Sequence, residues 1–160
     1  MNLSIQPLTE PQIREFIGWN YDDPYAIYAM NDENEAAQVA FFSNPVNGYF
    51  AIVAETGSLL GFCNFGADAQ VPGGDYSKEA IDVGIGMRPD LTGQGQGADY
   101  AQVVFDFARH HYANQPLRAT IAEFNKRAQR VCEKHGFEVV DRFERPNDKR
   151  PFLILMQENT

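Results

Sequence analysis

Gly93, Gly95 and Gly97 stand at alternate positions in the stretch RPDLTGQGQGADYAQ, directly before a run with helical spacing. Glycines leave backbone amides uncovered, and a helix start carries unpaired N–H groups and the positive end of the helix dipole. The stretch is therefore suited to an anion, a phosphate above all. A bare turn of this kind also serves as a plain strand-to-helix connection. A GxxxxGK phosphate loop is excluded because no lysine stands in it, and a dinucleotide turn because the spacing is GxGxG rather than GxGxxG. Just upstream, IDVGIGMR places Gly84 and Gly86 inside a strand, where absent side chains mark a bulge or a close backbone approach. Downstream, NKRAQRVCEKHGFE opens on Asn125, a helix cap by type, and carries Ala128, Val131 and Cys132 on one helical face.

These stretches need elements to position them. LSIQPL reads as a first strand, and Thr9 then caps a helix through EPQIREFIGW, with Ile13, Phe16 and Ile17 at helical spacing. The segment from Trp19 to Phe42 is aromatic-rich and interrupted by Pro24; its Trp19, Tyr21, Tyr25 and Tyr28 either wall a pocket or pack on a sheet. YFAIVAE and LLGFCNFG flank a TGS turn as a hairpin, residues 66–78 form a loop, and IDVGIGMR is a fourth strand. From Gly97 to about Tyr112, Ala101, Val104, Phe105 and Ala108 make the inner face of a helix. LRATIAEF alternates as a fifth strand, the Asn125 helix stops at Gly136, and FEVVDRFE and FLILMQ close the chain as a hairpin over RPNDKRP. Neither repeat nor linker divides residues 1–160, which read as one domain.

A chain of 160 residues with 44% hydrophobic side chains can bury a core without staples. Its 13 Lys and Arg against 22 Asp and Glu give a net charge of −9, and no basic run exceeds two residues. Nucleic acid binding is excluded on that distribution, while an acidic surface favours a cationic partner such as an amine. With no basic leader and no run of 18 apolar residues, the chain reads as soluble and cytoplasmic, without a membrane partner. Cys63 and Cys132 lie far apart without ligand spacing, so neither a disulfide nor a metal site is expected. His110 and His111 read as a solvated helix end.

Thr92-Gly93-Gln94-Gly95-Gln96-Gly97 resembles the pyrophosphate loop of the GNAT acetyltransferases, [Gln/Arg]-x-x-Gly-x-[Gly/Ala], with Thr92 where that family has Gln or Arg. The later block resembles the family's Asn-x-x-Ala-x-x-x-Tyr-Glu-Lys-x-Gly-Phe signature, with Asn125, Ala128, Glu133, Lys134, Gly136 and Phe137 in register. DVGIGMRPDLTG and WNYDDPYAIY are similar to a bacterial subgroup of small members. The resemblance implies an α/β fold: a strongly twisted, mainly antiparallel mixed sheet of about seven strands flanked by about four helices, splayed between the fourth and fifth strands.

It also implies acetyl transfer from acetyl-CoA to a primary amine of a small molecule or peptide, by direct attack in a ternary complex. Acetyl-CoA would contact Ile85, Met87, Thr92, Gly93, Gln94, Gly95, Gln96, Gly97, Ala98, Asn125 and Ala128. A bulge near Gly86 and Met87 would splay the sheet and aim the Met87 amide at the thioester oxygen. An amine needs a base, for which Asp82 is the first candidate, with Glu79 and Glu123 in reserve. Cys132 stands where the family usually has a tyrosine acid, and it is either a proton donor to the leaving thiolate or a small core hydrophobe. Homodimers are common in the family. The alternative to an enzyme is a catalytically reduced acyl-CoA sensor on the same fold.

Overall fold

The computed structural model describes residues 2–30, 34–113 and 115–158. Part of the aromatic segment, residues 31–33, lies outside them. The chain runs β1 (Leu3–Pro7), α1 (Glu10–Phe16), a 3-10 turn (Tyr25–Tyr28), α2 (Glu35–Ser43), β2 (Tyr49–Ala54), β3 (Leu59–Phe65) and β4 (Ile81–Met87). It continues through α3 (Gly97–His111), β5 (Leu117–Ala122), α4 (Lys126–Lys134), β6 (Glu138–Glu144) and β7 (Pro151–Gln157). Local chemistry starts α1 and α4 where the sequence predicts. Thr9 and Gln12 form a reciprocal capping box on α1, and the Asn125 side chain accepts from the Ala128 amide at the head of α4.

The strands form one sheet of order β1-β2-β3-β4-β5-β7-β6. Every neighbouring pair is antiparallel except β4 and β5, which are parallel. Alternation along the strands makes two cores. On one face α3 and α4 pack Ala101, Val104, Phe105, Ala108 and Cys132 against Cys63, Val83, Leu117, Ala119, Ile121 and Leu155. On the other, α1 and its exit bring Ile13, Phe16, Ile17 and Trp19 onto Ala51, Val53 and Leu59, with Phe42 from α2. Trp19 therefore packs on the sheet, one of the two roles its sequence position left open.

The parallel junction is short. Only Ile81↔Leu117 and Asp82↔Arg118 pair, and beyond them β4 and β5 separate. The second rung carries a buried ion pair: Arg118 Nε donates to Asp82 Oδ1 at 2.6 Å and Nη2 to Oδ2 at 2.9 Å, with the residues 2% and 4% exposed. Gln70 adds a hydrogen bond to Oδ2 at 2.8 Å, and Arg118 Nη1 donates to the Lys78 carbonyl at 2.7 Å. Removing one member leaves the other charge buried and unpaired, which costs about 3–5 kcal/mol. Arg118→Met should lower the urea-unfolding free energy by about that amount, whereas Asp82→Leu combined with Arg118→Met should recover most of it. Equal destabilisation by single and double variants would show that the pair does not hold the junction.

Candidate active site

The opening between the diverging β4 and β5 has a polar edge made of backbone. The Arg88 amide donates to the Leu60 carbonyl and the Asp82 carbonyl accepts from Gly66, each at 2.9 Å, so the even-numbered residues between them face β3. Val83, Ile85 and Met87 must then turn their N–H and C=O groups toward β5. Ile85 and Met87 lie beyond the last rung and find no strand partner on that side. Tyr21 reaches this edge, its hydroxyl donating to the Met87 carbonyl at 2.7 Å, and burial pushes that phenol up to about 12.

The expected bulge near Gly86 and Met87 is absent. Val83 through Met87 pair with Phe65 through Gly61 in unbroken register, and the register shifts lie instead at Ile52/Val53 and Val139/Asp141. The glycines have a different cause. A Cβ on Gly84 would sit 2.2 Å from Asn64 Oδ1, and one on Gly86 would sit 2.3 Å from the Phe62 ring. Side chains of β3 lean across β4 and fill the space its own would take. The splay comes from the ending of the parallel ladder, not from a bulge. Asn64 is 5% exposed and its Nδ2 has no hydrogen-bond partner among the described residues.

The glycine loop closes one end of the opening. Gly93 and Gly95 adopt φ of 73° and 78°, the left-handed region that side chains avoid. A Cβ on Gly95 would meet nothing within 4 Å, so the space above it is open. Gly97 and Ala98 begin α3, with Gly97 close to Val131 and to Met87 Sδ. The polar side chains of the loop are turned onto the loop itself: Thr92 Oγ1 donates to the Pro89 carbonyl at 2.7 Å, Gln94 Nε2 to the Asp90 carbonyl at 2.6 Å, and Gln96 Oε1 accepts from Tyr100 at 3.3 Å. What remains for an anion is backbone and the dipole of a 15-residue helix.

A cation comes from another element. Arg127 Nη1 stands 2.7 Å from where a Cβ of Gly93 would lie, its Nε donates to the Tyr25 hydroxyl at 2.9 Å, and its guanidinium lies 4.0 Å from the Tyr25 ring centroid. Sequence reasoning missed Arg127, whose only signal was a basic residue two positions after a helix cap. Asn125 caps α4 and also donates through Nδ2 to the Tyr28 hydroxyl at 3.1 Å, one turn ahead of half-buried Ala128. Tyr21, Tyr25 and Tyr28 thus wall the opening, the other role considered for this segment.

The four expected proton carriers lie in settings that limit them. Both Asp82 oxygens are bound by Arg118, and because the register is unbroken its side chain projects to the strand face opposite that of Met87. Glu79 is exposed in a loop, and Glu123 is held by Arg142 at 2.9 and 3.2 Å, which keeps its carboxyl below the ordinary range. Cys132 is 6% exposed in the α3–α4 core, where burial and, secondarily, Glu133 push its thiol up to about 12.

Comparison with known proteins fits this geometry. The family model described as Acetyltransferase (GNAT) domain matches residues 2–138. The chain belongs to the GNAT acetyltransferase family. No curated protein matches it in sequence. Among solved GNAT-like structures, a chimera of the Vibrio cholerae spermidine N-acetyltransferase SpeG and hSSAT superposes with a TM-score of 0.78 at 13% identity, covering 99% of this chain and 96% of that one. AAC(6')-Ib in complex with ribostamycin and coenzyme A gives 0.78 at 14% identity, with 99% and 94% covered. A GNAT-family acetyltransferase from Bacillus anthracis gives 0.75 at 16%, with 98% and 94% covered. At these identities the likeness establishes the GNAT fold. Among the described residues no helix is long and apolar enough to cross a membrane.

A thiol raised to about 12 by burial holds almost no thiolate at neutral pH. At pH 8 a disulfide reagent such as DTNB should therefore label native Cys132 about a thousandfold more slowly than an exposed cysteine, and rapidly once urea unfolds the chain. Fast native labelling assigned to Cys132 by mass spectrometry would place it within reach of solvent.

Proposed function

We propose that the protein transfers an acetyl group from acetyl-CoA to a primary amine of a small molecule or peptide, by direct attack within a ternary complex. One observation carries the reading: the backbone edge of Ile85 and Met87 that pairs with no strand and the open glycine loop with Arg127 border the same opening. Acetyl-CoA supplies an activated acyl thioester, and the residues present fit it. Ile85 offers strand-like hydrogen bonds to the amides of an extended pantetheine arm, and Asn125 and Ala128 border its path. The amides of Gly93, Gly95 and Gly97, with Gln94, Gln96 and Ala98 along the same backbone, meet the pyrophosphate at the head of α3. Arg127 supplies the charge that Thr92, bonded within its own turn, does not.

The Met87 amide is the donor for the oxyanion that develops as the amine nitrogen bonds to the thioester carbon. A preorganised backbone N–H is effective there because it needs no reorientation as charge appears. The C–S bond then breaks. With a thiol pKa of about 8.5, the departing thiolate is stable enough to take its proton from water, and Cys132 serves as core packing. Asp82 acts by position: its pair with Arg118 sets where β4 and β5 part. The ammonium proton of the acceptor leaves through water before attack, and the nitrogen gives a second proton to water as the C–S bond breaks, which balances the proton that the thiolate takes up.

Calorimetry with acetyl-CoA and with desulfo-CoA tests the reading. Both should bind, and Arg127→Gln should weaken both at least about tenfold, the loss expected of a hydrogen bond to a charged group. Gly95→Trp should abolish binding by filling the open space above the loop. Absence of binding at millimolar acetyl-CoA, with a protein that unfolds cooperatively, would overturn the assignment.

A further inference from the structure

Eight of the thirteen Lys and Arg residues lie between positions 123 and 151, in a chain whose net charge is −9. Part of that concentration surrounds a cavity of about 380 Å³ lined by Glu123, Phe124, Lys126, Arg150 and Pro151, where the end of β5 meets the β6–β7 turn. The carboxylates nearby are already engaged. Glu123 is bound by Arg142 Nε and Nη2, and Asp148 is bound by Arg145 at 2.6 and 3.0 Å. Asp148 Oδ2 lies 3.8 Å from Arg150 Nε, too far for a hydrogen bond, and that Nε is buried without a hydrogen-bond partner. Arg150 lies over Phe124, its guanidinium carbon 5.7 Å from the ring centroid, and Lys126 is exposed at the first turn of α4.

The cavity adjoins the proposed acetyl-transfer opening. Phe124 is its shared wall, 5.5 Å from the Tyr25 ring and 6.2 Å from the Tyr28 ring, and Asn125 follows it in the chain. We propose that this cavity receives an anionic group, a carboxylate or phosphate, carried by the same molecule as the acceptor amine. Among the described residues Arg150 makes one ion pair, the 3.8 Å contact of its Nε with Asp148, which leaves its terminal nitrogens to recognise such a group by paired hydrogen bonds, and Lys126 adds a second charge at the edge. The inference rests on the acetyl-transfer reading for the amine, and it names an acceptor class the acidic composition did not suggest. A polyamine would bring like charge to Arg150 and Lys126, a repulsive contact that selects against it.

The test uses the full chain with and without saturating CoA, titrated by calorimetry with glutarate, inorganic phosphate and 1,5-diaminopentane. Glutarate or phosphate should bind and the diamine should not, with the tighter anion showing which group is preferred. Arg150→Gln should weaken anion binding at least about tenfold, Lys126→Gln less, and Arg150→Lys should restore part of it. None of the three should alter acetyl-CoA affinity by more than about twofold, since additivity holds for groups outside the cofactor path. Diamine binding in place of anion binding, or anion binding indifferent to both Arg150→Gln and Lys126→Gln, would overturn the proposal. Loss of CoA binding with anion binding intact would instead remove the acetyl-transfer reading and leave the anion site standing.

Discussion

The buried pair of Asp82 and Arg118 stands at the point on which the architecture depends. Two backbone rungs alone join β4 to β5, so the halves of the sheet would be weakly registered without a side-chain bond across the seam. A fork of two parallel hydrogen bonds constrains both distance and angle, which a single contact or an apolar pair would not. It lies at the last rung, and the divergence that begins there leaves a row of β4 backbone donors and acceptors without a strand partner. Where the pair sits therefore decides where the site begins.

The segment from Tyr21 to Tyr28 spans the same gap from above. Tyr21 holds the Met87 carbonyl on the β4 side, while Tyr25 and Tyr28 hold Arg127 and Asn125 on the α4 side. Phenols suit this task because each ring packs as an apolar body and presents one polar tip. The result is an opening braced at its base by charge and bridged at its mouth by aromatic rings. Packing of α1 and Trp19 on the opposite face of β2 and β3 fixes where that segment starts.

Much of this was legible in the chain. Thr9 with Gln12 and Asn125 with Ala128 are local capping arrangements, readable because a cap depends on neighbours three residues away. The inner face of α3 followed from spacing, and the glycine loop from the bare amides that glycines leave at a helix start. What escaped reading was decided across the sheet. Arg118 sat in an alternating strand as an ordinary outward residue, and nothing local announced that Asp82 would face it. Arg127 reaches Gly93 only because α3 and α4 pack together. Gly84 and Gly86 suggested a bulge, but the cause was Asn64 and Phe62 leaning over from β3, a relation between paired strands that no single segment carries.

That leaning separates two duties that most strands combine. β4 offers the opening its polar backbone, while the surface above Gly84 and Gly86 is furnished by the side chains of another strand. Phe62 and Asn64 therefore set the size and polarity of the surface over this stretch of β4, in place of the side chains its own residues lack. A strand can in this way expose its backbone on one side while a neighbour supplies the side-chain surface on its face.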